Sequence, residues 1–256
     1  MSEKPWTEAD AQRYERQVVL PQIGVEGQKR LLSSSALVVG AGGLGSPAIL
    51  YLAAAGVGRL GIADGEAVEL SNLNRQVLHA TADIGRPKAD SAAEKVRALA
   101  PACAVEPLAV RLTAENARDI VRPYDVVLDC TDNFAARFLI SDACWLQKRA
   151  LVSAAVQRFE GMLLAVIPGG GNPCYRCLVP EATGVQDRGI FGAIPGVMGA
   201  LQAMEAVKVL LGIGENLARR LVIYDGLAGT FRTVGRVQDP ACSLCGDHPT
   251  ITDVGR

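Results

Sequence analysis

The chain has no run of basic residues, no apolar stretch long enough to span a bilayer, no Pro/Ser-rich linker, no internal repeat and no low-complexity segment. Each absence removes a class. With a formal net charge of -1 and no basic patch, binding that rests on neutralising nucleic-acid phosphates is not expected. The longest uncharged apolar run, Ala48 to Gly58, stops at Arg59, short of the roughly 20 residues a spanning helix needs. The opening stretch MSEKPWTEADAQRYERQ is polar and acidic, not the basic-then-apolar pattern of a secretory signal, so a cytoplasmic protein is expected. Without a linker, 256 residues at 49% hydrophobic predict one large domain with a sizeable core.

What is present begins with cysteine. There are seven, and four form two Cys-x-x-Cys pairs, Cys174/Cys177 and Cys242/Cys245. In a reducing compartment such pairs favour a metal over disulfides. Four thiolates converging from distant segments make a closed tetrahedral zinc site, structural because no position stays open for chemistry. Two redox-active pairs are the competing reading. Cys103, Cys130 and Cys144 sit in apolar or helical contexts and read as buried structural thiols.

Periodicity predicts an alternation of strands and helices. A polar-faced helix covers Thr7 to Val19. The strands are Ala36–Val39, Arg59–Ala63, Val105–Val110, Asp125–Asp129 and Leu151–Ala155. Between them lie helices Leu44–Ala55, Ala89–Leu99, Ala114–Val121 and Asn133–Gln147. The alternation implies right-handed βαβ crossovers, hence an α/β, Rossmann-like, doubly wound, mostly parallel sheet. Met162–Ile167, Leu221–Tyr224 and Phe231–Val234 extend it as antiparallel strands, with a helix Val197–Leu211 among them. Within one domain the expected division is a helical arm (1–32), a nucleotide-binding half (33–155) and a zinc-stapled half (156–256).

Gly40-Ala41-Gly42-Gly43-Leu44-Gly45 follows the first strand and opens a helix. Glycines there allow a tight turn and close approach of backbone N–H groups to phosphate. Asp64 ends the second strand, placed to hold ribose hydroxyls. This much fits an NAD(P) or flavin oxidoreductase equally well. Ser71-Asn72-Leu73-Asn74-Arg75-Gln76 adds polar groups and a cation. Arg86-Pro87-Lys88 adds another, and Asp129-Cys130-Thr131-Asp132-Asn133 brings an acid to the carboxyl end of a buried strand, where ligands of such sheets bind. A dinucleotide needs one pyrophosphate cradle. Two further cations and an acid suit a nucleoside triphosphate, with Asp132 on Mg²⁺. Singly, Arg75 and Lys88 also read as solvated charges and Asp132 as a helix cap; their joint occurrence is harder to set aside.

In this order, with Arg13-Tyr14-Glu15-Arg16-Gln17 before them and CYRC, Gly196-Val197-Met198-Gly199, LQAMEAVK and CSLC after, the motifs resemble the ThiF/MoeB/HesA family, bacterial relatives of ubiquitin-activating enzymes. The resemblance covers nearly the whole chain. It implies ATP-dependent adenylation of the C-terminal glycine of a small ubiquitin-like sulfur carrier ending in Gly-Gly, closest to the molybdopterin type, with a separate sulfur donor. By matching position it implies that Gly40, Gly42, Gly43 and Gly45 contact phosphate and Asp64 holds ribose. Ser71, Asn72, Leu73, Asn74, Arg75 and Lys88 line the triphosphate, Asp132 binds Mg²⁺, and Asn133 lies beside the nucleotide. Arg16, Arg75, Lys88 and Asp132 form the catalytic set, Arg16 reaching across from the other subunit of a homodimer. The chain departs from the pattern at Val185, where many members carry a cysteine. Valine offers no nucleophile, so no thioester step is expected, and a substitute such as Cys130 would need a lowered pKa and access. The alternatives are adenylation of a tRNA base or small molecule, an NAD(P)-dependent oxidoreductase, and a non-catalytic scaffold for a ubiquitin-like partner.

Overall fold

A computed structural model describes residues 6–181 and 189–254. One eight-stranded sheet organises them, in the order β3-β2-β1-β4-β5-β6-β7-β8. Its strands are β1 (Ser35–Val39), β2 (Arg59–Ala63), β3 (Ala104–Leu108), β4 (Val126–Asp129), β5 (Ala150–Gln157), β6 (Glu160–Val166), β7 (Arg220–Asp225) and β8 (Thr230–Gly235). The first five pair in parallel; β6, β7 and β8 continue the sheet antiparallel. Alternate side chains enter opposite cores, as strand pleating requires: Ala36 and Val38 face one side, Leu37 and Val39 the other. The expected doubly wound α/β architecture with its antiparallel extension is what forms.

The helices are α1 (Glu8–Arg13), α2 (Glu15–Val18), α3 (Gly24–Ser33), α4 (Gly45–Ala55), α5 (Lys88–Leu99), α6 (Ala117–Val121), α7 (Phe134–Leu146) and α8 (Ala193–Leu211). One core joins α4, α5 and α8 to the sheet; the other holds α6, α7 and the cysteine segments. Among the described residues α8 is the one helix long and apolar enough to cross a membrane, yet 56% of that stretch is buried inside the fold. It is the central helix of the first core.

Four elements differ from expectation. The single helix over Thr7 to Val19 breaks at Tyr14, whose ring is buried against Gly56, where a Cβ would come within 2.8 Å of it. Helix α3 was not foreseen, because Gly24 and Gly27 depress local propensity; Leu31 and Gln28 anchor it by burial. Helix α6 starts late because the Asn116 side chain accepts the Thr113 N–H and closes a turn first. Helix α8 starts four residues before Val197, since Pro195 in its first turn gives up an N–H the helix does not use.

Candidate functional site: a phosphate crevice and a cysteine cluster

Strand order reverses between β1 and β4, whose ends align at Val39 and Asp129. Parallel sheets bind ligands at the carboxyl end of such a reversal. Three strand ends deliver side chains there. β1 runs into the glycine loop. Gly40 takes φ +97°, and a Cβ on it would lie 2.7 Å from the Cys130 carbonyl oxygen; a Cβ on Gly45 would overlap the Gly40 carbonyl. Both are glycine because the fold leaves no room. Gly43 is tight against Pro195 at 3.1 Å, whereas a Cβ on Gly42 would meet only the end of Gln76, at 3.5 Å.

Asp64, at the tip of β2, is held by two backbone donors. Its Oδ2 accepts the Ala41 N–H at 2.8 Å and its Oδ1 the Glu66 N–H at 2.8 Å. The carboxylate is thereby fixed beside the loop. Beyond β4, Asp129 is fully buried; it accepts the Thr131 N–H and hydroxyl and the Ser153 hydroxyl, shaping the turn that carries Asp132 outward. Asp132 is exposed. The cap of α7 is Asn133, whose Oδ1 accepts the Ala136 N–H at 2.9 Å, so Asp132 is not consumed as a cap.

The segment after β2 folds over the loop. Asn72 is buried and closes its own turn, accepting the Glu69 N–H at 3.1 Å. Ser71 and Asn74 are exposed and Leu73 half-buried. Arg75 donates to the Ser71 carbonyl at 2.9 Å and to Asn74 at 3.1 Å, and its Cγ lies 3.6 Å from where a Gly43 Cβ would be. Lys88 begins α5. Its amine is buried and pairs with the half-exposed Glu66 at 2.9 Å. Glu66 also takes Arg111 at 3.0 Å through its other oxygen, so the counterion of Lys88 is a half-exposed carboxylate shared between two cations.

Arg16 stands elsewhere. Its neighbour Gln17 donates to the Ala55 carbonyl at the carboxyl end of α4, and Arg13 to Leu99 at the carboxyl end of α5. The glycine loop and Lys88 lie at the opposite ends of these helices. An eleven-residue α4 puts about 16 Å between them. Arg16 is exposed and does not join the crevice of its own chain.

The four paired cysteines converge. Cys174 Sγ lies 3.5 Å from Cys242 and 3.9 Å from Cys177, Cys177 lies 3.2 Å from Cys245, and all four sulfurs fall within 4.8 Å of one another. A tetrahedron with 2.3 Å zinc–sulfur bonds has edges of about 3.8 Å, so the cluster could hold a metal. Burial, then the neighbouring thiols, push the Cys174 thiol far above its ordinary value. Charge accumulates there only with a cation among the sulfurs. Gly246 permits the turn after Cys245, where a Cβ would strike three backbone atoms.

A glycine-rich loop, an acid on the second strand, cations beside the loop and a tetracysteine cluster make a specific combination, and the model of the ThiF family matches residues 14–244. The chain belongs to the ThiF family. Among similar proteins is the sulfur carrier protein adenylyltransferase of Thermus thermophilus, 48% identical over 255 residues, covering 96% of this chain and 94% of that one. The SAMP-activating enzyme E1 of Haloferax volcanii is 48% identical over 241 residues, covering 92% and 88%. The adenylyltransferase and sulfurtransferase MOCS3 of Bos taurus is 50% identical over 252 residues, but these span 55% of its length. Escherichia coli MccB, solved with ATP, has the same fold: TM-score 0.81 at 20% identity, over 92% of this chain and 75% of that one.

In this ThiF-family chain several supporting residues escaped the sequence reading. His79 is buried, with Nε2 2.9 Å from the Ala41 carbonyl and Nδ1 2.9 Å from the Ser91 hydroxyl on α5. It ties the glycine loop to the helix that Lys88 begins. Burial lowers its pKa, aided by Lys88 and opposed by the Ala41 carbonyl. Gln202 on α8 donates to the Asp129 and Val152 carbonyls at 2.8 and 3.2 Å, holding α8 over the end of β4 and the first half of β5. No motif contains His79, where a buried polar residue between apolar neighbours is the available signal; Gln202 lies in LQAMEAVK, a motif that carries no role for it in sequence. Cys130 is buried, its Sγ 3.4 Å from Gln202 Oε1, and burial followed by Asp129 pushes its thiol well up. It has neither the access nor the lowered pKa that a substitute nucleophile needs. Cys103 and Cys144 are buried as expected. Val185 lies outside the described residues.

Proposed function

We propose that this chain is an adenylyltransferase that activates the C-terminal glycine carboxylate of a small ubiquitin-like sulfur carrier ending in Gly-Gly. A carboxylate oxygen attacks the α-phosphorus of ATP, the bond to the bridging oxygen breaks, and pyrophosphate leaves with its electron pair. A carboxylate is a poor acyl donor, and joining it to AMP supplies a leaving group. The protein's part is positioning and charge stabilisation. The observation that carries the reading is the convergence of the glycine loop, Asp64, Arg75, Lys88 and Asp132 on the β2, β1 and β4 ends. The names of relatives aligned over nearly their full length point the same way.

Roles follow chemistry. Gly42 and Gly43 present backbone N–H groups to phosphate at the amino end of α4. Asp64 holds ribose. Ser71, Asn72, Leu73 and Asn74 wall the triphosphate, and Asn133 lies beside the nucleotide. Arg75 and Lys88 neutralise its charge, Lys88 exchanging Glu66 for phosphate. Asp132 would hold Mg²⁺, which supplies further neutralisation when bound. Arg16 reaches a second subunit's crevice in a homodimer, consistent with its place at the far ends of α4 and α5. Cys174, Cys177, Cys242 and Cys245 hold a structural zinc. With no cysteine at Val185 and Cys130 buried, the acyl-adenylate passes to a separate sulfur donor. The setting is cytoplasmic, where thiols stay reduced.

The test is ATP–pyrophosphate exchange with and without a carrier ending in Gly-Gly. Exchange that needs the carrier and no redox cofactor supports the reading. Exchange driven by a tRNA or a small acid, or NAD(P) turnover without exchange, overturns it.

A further inference from the structure

Behind the cysteine cluster sits an arginine without an anion. Arg236, directly after β8, is 7% exposed. Its Nη1 donates to the Ala165 carbonyl at 2.9 Å and to Ala218 at 3.4 Å; its Nη2 donates to Cys174 at 3.0 Å and to Pro173 at 3.5 Å. Its Nε has no partner, and no carboxylate reaches the guanidinium among the described residues. Burying a cation this way is costly unless negative charge lies close. Carbonyl dipoles orient a guanidinium but do not cancel its charge. The second arginine of this region, Arg176, is already neutralised: buried Asp142 takes it in a fork at 2.9 and 2.7 Å. Burial draws the Arg236 pKa down, and the sulfurs of Cys177, Cys174 and Cys245 draw it back up.

We propose that Arg236 is the counter-charge and positioning residue of a tetrathiolate zinc centre. Zinc with four thiolates carries two net negative charges. Asp142 and Arg176 cancel each other, so Arg236 is the group that offsets the excess. Through the Cys174 carbonyl it also fastens the first cysteine pair to β6 at Ala165 and to the chain entering β7 at Ala218. Outer partners of this kind tune metal affinity by about 10–100-fold. The proposal rests on the zinc reading above.

Zinc affinity is measured on the full-length protein by competition with a chromophoric chelator, with circular dichroism as the check on folding. Wild type that binds no zinc ends the zinc reading itself, and this proposal with it. Given zinc in wild type, Arg236→Met should bind it about 10–100-fold more weakly, and Arg236→Lys, which keeps the charge but not the fork, should lose less than about tenfold. Adding Asp142→Asn to Arg236→Met frees the Arg176 charge and should recover much of the lost affinity, a response that packing alone would not produce. Unchanged affinity in Arg236→Met, or no recovery in the double variant, overturns the proposal. Should Arg236→Met not fold, a folded Arg236→Lys with about a tenfold or greater loss overturns it equally, and a smaller loss sustains it.

Discussion

The glycine-loop crevice and the cysteine cluster are built on opposite terms. In the crevice, Asp132 is exposed and Arg75 half-exposed, and Arg75 and Lys88 rest on local partners, Ser71, Asn74 and Glu66. A ligand can displace those partners. In the cluster three of the four cysteines are buried, and the arginines beside them are locked to Asp142 or to backbone carbonyls. One region is arranged to change partners and the other to keep them. Crevice substitutions should therefore remove activity and spare the fold, and cluster substitutions should do the reverse first.

The largest expected effect tests that contrast directly. Asp132→Ala should reduce carrier-dependent ATP–pyrophosphate exchange by about 10³-fold or more, with the melting temperature unchanged. A melting temperature that fell with the activity would erase the distinction. Next, Cys242→Ser or chelation should release metal and lower the melting temperature by about 10 °C or more; full stability in the metal-free protein would make the thiols incidental. The third sharpens what belongs to one chain. If Arg16 serves the partner's crevice, an equal mixture of Arg16→Ala and Asp132→Ala subunits should recover about a quarter of wild-type exchange after subunit reassortment, because half the dimers hold one intact site. A mixture as inactive as its parents, with reassortment verified, would overturn the arrangement across subunits.

The smallest effect concerns His79, a buried residue locked beneath the glycine loop. Its folded pKa lies below its ordinary value, so the unfolded chain binds the proton first. Stability from this residue is complete above the unfolded pKa of about 6.5 and declines as pH falls through the folded value. Denaturant titrations from pH 7.5 to 5 should show that slope in wild type, and His79→Gln should flatten it. Equal slopes would mean the imidazole is not the titrating group.

The mostly parallel α/β class with its antiparallel extension, the glycine loop and the cysteine pairs were legible because each depends on local chemistry: alternating patterns, missing side chains, fixed spacing. Gly40 and Gly45 are dictated by carbonyl contacts within the loop and with its neighbouring strand, which a glycine pattern reports faithfully. The break at Tyr14 was not legible, because it depends on a ring meeting Gly56, 42 positions later in the chain. Helix α3 was hidden by two glycines whose helical state is decided by burial of Leu31 and Gln28. Likewise nothing near His79 or Arg236 in sequence announces the loop carbonyl or the sulfurs they serve. Partners distant in sequence are what a linear reading lacks.

Among the loop glycines, position 42 stands apart. The fold itself forbids a side chain at 40 and 45, crowds one at 43, and is indifferent to a methyl group at 42. A library randomised across the loop and sorted twice, once for soluble expression and once for turnover, would thus separate two histories in one short segment. Residues surviving the first sort but not the second at position 42 would trace the outline of the guest, drawn in the amino acids it refuses to sit beside.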